Sequence, residues 1–153
     1  MNYRKIFQII SYLQYPFILL ALYFSVKPYL NGFNYLIKNP DIIFEQYNFV
    51  LIFMGLGISF STLQDTTKTQ SNFSKKIWEN PKKGKLFIGI LTILTFSILT
   101  FGIFGYFITN NENIEQLSFG TIVLGIGFIG FLKTGLDVFE NHRLDKKTID
   151  NVL

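Results

Sequence analysis

The chain alternates between long apolar runs and short clusters of charge. Four runs nearly free of Asp, Glu, Lys and Arg cover residues 6–26, 47–63, 86–109 and 117–136. Each approaches the roughly 20 residues that carry a helix across a bilayer. None has the charged outer stripe that a water-soluble amphipathic helix requires. The pattern predicts an all-α integral membrane protein, residues 1–153 forming a single membrane domain of four transmembrane helices arranged as two hairpins.

Polar interruptions refine these spans. Gln8, Ser11 and Gln14 lie in the first one and are expected to face inward, because a polar side chain in lipid needs a protein partner. Pro16 removes a backbone donor and is expected to kink that helix over residues 12–16. Asn31-Gly32 and Asn39-Pro40 are turn signals in the connection that follows. The loop 65–85 carries SNFSKKIWENP, where Phe73 and Ile77 are four apart with Trp78 beside them, opposite Lys75 and Lys76. That spacing predicts a short interfacial helix, stopped at Asn80-Pro81, that lies on the membrane or docks a partner. The PKKGK segment after it adds three lysines attractive to anionic lipids.

Two stretches echo each other. FEQYNFVLIFMGLGI starting at Phe44 and IEQLSFGTIVLGIGF starting at Ile114 share Glu45/Glu115, Gln46/Gln116, Phe49/Phe119, Ile52/Ile122, Gly55/Gly125 and Gly57/Gly127 at an offset of 70. The match allows a tandem parallel repeat. It marks Gly55, Gly57, Ser59, Gly125, Gly127 and Gly130 as candidate helix contacts, since small residues let helix backbones approach.

Charge placement sets the expected topology. Arg4, Lys5, Lys68, Lys75, Lys76, Lys82, Lys83, Lys85, Lys133, Arg143, Lys146 and Lys147 fall on one side of the four spans, and only Lys27 and Lys38 on the other. The excess of basic residues marks the cytoplasmic side, so both termini and the tail 137–153 are expected there, and no nucleic-acid partner is invoked for the net charge of +4. Gln8, Ser11, Gln14 and Pro16 interrupt the first apolar run, so it is expected to be retained as a span. Small size and the absence of a recognisable targeting signal suggest a bacterial inner membrane.

Candidate chemistry is sparse. The chain has no cysteine and a single histidine, His142, in a charged tail, so neither a thiolate centre nor a histidine metal cluster is expected. Gly125-x-Gly127-x-x-Gly130 matches a dinucleotide fingerprint formally but lies mid-span without the βαβ unit that fingerprint needs. No cofactor is expected. Glu45 and Glu115 each begin a span, where the helix dipole favours a carboxylate, and they form a candidate cation entrance if they are level. Asp65 and Lys133 form a candidate ion pair if the second and fourth spans are neighbours. These features point to a non-catalytic subunit that works as a homo-oligomer or with another membrane protein. The alternative is a small ion channel or transporter with a path between protomers or between the two hairpins, and a lipid-modifying activity is the remaining enzymatic option.

Overall fold

The computed structural model describes residues 3–67 and 71–146. Lys68, Lys147, Ile149, Val152 and the side chain of Phe73 lie outside the described residues. Every element within them is helical: α1 (Tyr3–Ser11), α2 (Gln14–Val26), a 3-10 turn (Lys27–Asn31), α3 (Phe33–Lys38), α4 (Asp41–Ser61), α5 (Asn72–Trp78), α6 (Pro81–Ile108) and α7 (Glu112–His142). Four stretches, Tyr3–Asn31, α4, α6 and α7, are long and apolar enough to cross a membrane. The 21 residues of α4 rise about 31 Å at ~1.5 Å each, close to the thickness of the hydrocarbon core.

Local sequence sets the breaks. Pro16 has no N–H to offer Tyr12, and the chain tightens just before it. Tyr12 and Leu13 donate to the carbonyls of Ile9 and Ile10 at 3.1 and 3.0 Å, which separates α1 from α2. Gly32, at φ 84°, turns the chain between the 3-10 segment and α3, in the left-handed region that side chains avoid. Asn80 both stops α5 and caps α6, its Oδ1 accepting from the N–H groups of Lys82 and Lys83 at 3.0 and 3.1 Å, with Pro81 at the first helical position.

The long helices touch in a chain, α2 on α4, α4 on α7 and α7 on α6. Helix α2 runs antiparallel to α4, joined by stacked rings: Phe17 against Phe60 at 5.3 Å, and Phe24 against Phe49 and Phe53 at 5.0 and 5.4 Å. Helix α6 runs antiparallel to α7, with Gly102 against Ile122 and Gly125 against Leu99. Hydroxyls within the spans bond back to their own helix. Ser25, Ser59, Ser61, Thr62, Thr92, Thr95 and Thr121 each donate to a carbonyl three or four residues earlier at 2.7–2.9 Å. They are thereby satisfied without water.

The short helix α5 folds back onto the bundle. The Trp78 ring stands edge-on to Phe87 at 5.3 Å, and the Leu144 N–H donates to the Glu79 carbonyl at 3.2 Å. Phe139 from α7 lies directly against Gly84 at the start of α6. Trp78 is only 9% exposed, so its ring is used in packing within the protein. Lys75 and Lys76 remain exposed, and Lys75 pairs with Glu79 at 3.7 Å.

Candidate functional site

The contact between α4 and α7 organises the molecule. Asp41 Oδ1 accepts from Asn113 Nδ2 at 2.6 Å, Asn48 Oδ1 accepts from the Gly120 N–H at 3.0 Å, and the Thr62 carbonyl accepts from Thr134 Oγ1 at 3.3 Å. Between the last two rungs, Gly55 lies against Gly127 so closely that a Cβ on Gly127 would stand 2.5 Å from the Gly55 carbonyl oxygen. Positions 41, 48, 55 and 62 thus meet 113, 120, 127 and 134, seven residues apart on both helices. The pair is parallel and in one register throughout. A seven-residue contact period is the geometry of a left-handed coiled coil.

Glycine is required here by proximity. A Cβ on Gly55 would stand 2.7 Å from the Val123 carbonyl oxygen, and one on Gly120 would stand 2.5 Å from Asn48 Oδ1. Without side chains at these positions the two backbones close on each other and polar groups bond across the seam.

The contact register differs from the offset that aligns the two sequence stretches. Gly55 faces α7 whereas Gly125 faces α6, and Gly57 packs on Ile18 of α2 whereas Gly127 packs on α4. Residues two apart on a helix point roughly 200° apart at 3.6 residues per turn. A shift from 70 to 72 therefore changes which neighbour each glycine meets. Ser59 bonds to the Gly55 carbonyl at 2.8 Å, and Gly130 lies beside Thr62.

Two recesses flank the seam. At the acidic end, Glu45 lines a crevice of about 440 Å³ with Asp41, Asn48, Asn113 and Gln116. Glu115 is exposed and does not line it. The second carboxylate at this crevice is Asp41, which sequence reasoning passed over. Its signal was the seven-residue spacing to Asn48. At the basic end, Lys133 Nζ lies 3.0 Å from Asp137 on its own helix. Asp65 Oδ1 accepts from the Thr67 N–H and hydroxyl at 3.0 and 2.7 Å, while its own N–H donates to Gln8 Oε1 at 3.0 Å. Helices α4 and α7 are neighbours as that pairing required, but Asp65 lies in the chain beyond the end of α4, where Thr66 meets Asn141. Lys133 reaches the carboxylate one turn along its own helix.

The larger recess is also at the basic end, a cavity of about 540 Å³. Its walls come from α2 (Gln14, Ile18), the chain leaving α4 (Asp65, Thr66), α5 (Ile77, Trp78), α6 (Phe87, Leu91) and α7 (Phe131, Thr134). Ser11, fully buried, donates to the Gln8 carbonyl at 2.8 Å, and Gln14 is 8% exposed, so both face inward as expected. His142 Nδ1 lies 2.8 Å from the Val138 carbonyl. No group of three His, Asp or Glu side chains suited to a metal ion gathers among the described residues. Comparison with protein-family models, with curated proteins and with solved structures finds no match for this chain.

Proposed function

We propose that this is a non-catalytic integral membrane subunit that acts by assembling with other membrane helices, in the first instance with further copies of itself. The observation that carries the reading is the open chain of contacts α2–α4–α7–α6, in which α2 and α6 pack mainly along one neighbour each. Apolar side chains such as Ile93 and Phe96 on α6 and Leu19 and Leu22 on α2 stay exposed, and Gly89 meets no atom within 4 Å of its would-be Cβ. Small residues on a bare helix face are the usual means of close helix association in lipid. In this reading the spans form two hairpins with both termini and α5 on the cytoplasmic side, where exposed lysines meet anionic lipid.

The channel alternative finds less support. A path between α4 and α7 would have to part backbones in contact at Gly55 and Gly127, and the hydroxyls of Ser59, Ser61 and Thr62 are bonded to their own helix. Counting copies in lipid nanodiscs or native-membrane polymer particles, by single-molecule mass measurement, tests the proposal. Particles carrying two or more copies, or one copy with a stoichiometric membrane partner, are expected. A strict monomer that copurifies with nothing overturns it.

A further inference from the structure

The cavity at the basic end holds hydrogen-bonding capacity that the protein does not use. Gln14 and Trp78 both line it, at 8% and 9% exposure. Among the described residues neither the Gln14 amide nor the Trp78 indole N–H makes a hydrogen bond, whereas the buried hydroxyls of Ser11 and Thr95 are bonded to their own helix. Neither the amide nor the indole N–H is among the side-chain atoms shut away from solvent without a partner, so these donors reach open space, and two of them on one cavity wall offer a ligand a polar anchor.

Position along the helices narrows the choice. Asp65 and Thr66 form the rim beyond the end of α4, while Ile18, Leu91 and Phe131 form the deeper wall. The polarity of the lining therefore changes along the bilayer normal, polar outward and apolar inward. The level is that of the headgroup–acyl boundary, because α4 spans the hydrocarbon core and ends at the rim. The volume lies within the range of small-molecule sites, which combine apolar walls with a few placed polar groups. Gln14 Nε2 and Trp78 Nε1 are both donors, which suits a carbonyl oxygen.

We propose that this cavity binds the ester region of an acyl glycerolipid. The ester carbonyl accepts from Gln14 and Trp78, the first methylenes lie against Ile18, Leu91 and Phe131, and the head emerges past Asp65 and Thr66. The lipid is a structural ligand held between α2 and α6, where the protein makes few contacts of its own. This inference rests on the cavity and stands apart from the assembly reading.

Trp78 is the only tryptophan, so the chain carries its own reporter. The full chain is reconstituted in vesicles of an ether-linked dialkyl phosphocholine, which has no ester carbonyl to compete, and a lysophosphatidylcholine brominated near its ester is titrated in while tryptophan fluorescence is followed. Saturable quenching is expected at about one probe per chain, above the linear background of lipid contact. Gly135→Leu directs its side chain to the cavity side, since a Cβ there meets Trp78 and Leu91 at ordinary distances of 3.5 and 3.7 Å, and it should abolish saturation. Gln14→Leu should weaken the saturable binding about threefold to tenfold, as expected for one hydrogen bond in a membrane interior. Phe107→Leu, 77% exposed at the opposite end of α6 from the cavity, should change nothing. Circular dichroism checks folding, and if Gly135→Leu fails that check, Gln14→Leu decides. Linear quenching of equal slope in wild type and in every folded variant overturns the proposal and leaves a water-filled cavity.

Discussion

Adding a single methyl group at Gly55 tests the seam between α4 and α7. Its Cβ would stand 2.7 Å from the Val123 carbonyl oxygen and 2.8 Å from the Leu124 Cα and N, all of them backbone atoms. No rotamer relieves such a contact, so the helices must part by about 0.7 Å to reach the 3.4 Å of an ordinary approach. Overpacking of this kind costs about 1–3 kcal/mol. Separation also strains the Asn48–Gly120 and Thr62–Thr134 bonds on either side, each worth on the order of 0.6 kcal/mol in a membrane. Opposing this, alanine gains up to about 1 kcal/mol over glycine in helix propensity. Gly89→Ala, in the middle of α6 with nothing within 4 Å, isolates that gain. Reversible unfolding in mixed detergent and SDS micelles, followed by circular dichroism, should place Gly55→Ala about 1–4 kcal/mol below Gly89→Ala. A Gly55→Ala protein as stable as Gly89→Ala would refute the close approach of the two backbones.

Other consequences follow from the same contacts. Gly127→Ala should be destabilising too and should combine with Gly55→Ala less than additively, because both substitutions open one seam; a double-mutant cycle by the same unfolding assay measures the coupling. Asn48→Ala removes the side-chain acceptor of the Gly120 N–H and should cost about 0.6–1.7 kcal/mol in that assay, with helix content unchanged. Asn80→Ala removes the cap that starts α6 and should cost about 1 kcal/mol, with the red shift of Trp78 emission reporting loosening of the adjoining α5. Glu45→Gln combined with Glu115→Gln should leave both the number of copies per particle and cation leakage through vesicles unchanged, as measured by mass and by flux.

The spans, the break near Pro16 and the inward placement of Ser11 and Gln14 were legible because each depends on the local chain. Twenty apolar residues, a missing N–H and a polar group in lipid carry their meaning without knowledge of a partner. The glycines were legible as contact points for the same reason. Which neighbour each one meets was hidden. Aligning letters gives an offset of 70, while facing depends on rotation, and a shift of two residues turns a side chain to nearly the opposite side. That rotation brings Asp41 to the acidic crevice in place of Glu115. The docking of α5 was hidden for a different reason. Phe73, Ile77 and Trp78 read as an apolar stripe, but the stripe alone does not say whether lipid or protein covers it. Phe87, Gly84 and Gly135, which meet Trp78 and Ile77 of α5, become its neighbours only through the fold.

The register of α4 against α7 underlies the closed seam, the two separate recesses and the case for assembly over conduction. The chain has no cysteine, so introduced pairs can be oxidised in native membranes without background. Asp41→Cys with Asn113→Cys, and Thr62→Cys with Thr134→Cys, place thiols where the side chains or their carbonyl neighbours already meet. Rapid intramolecular disulfide formation is predicted at both ends for these pairs, and little for Asp41→Cys with Asn111→Cys or Thr62→Cys with Leu132→Cys. Efficient cross-linking of the latter two pairs, with the former two inert, would contradict the register and the closed seam built on it.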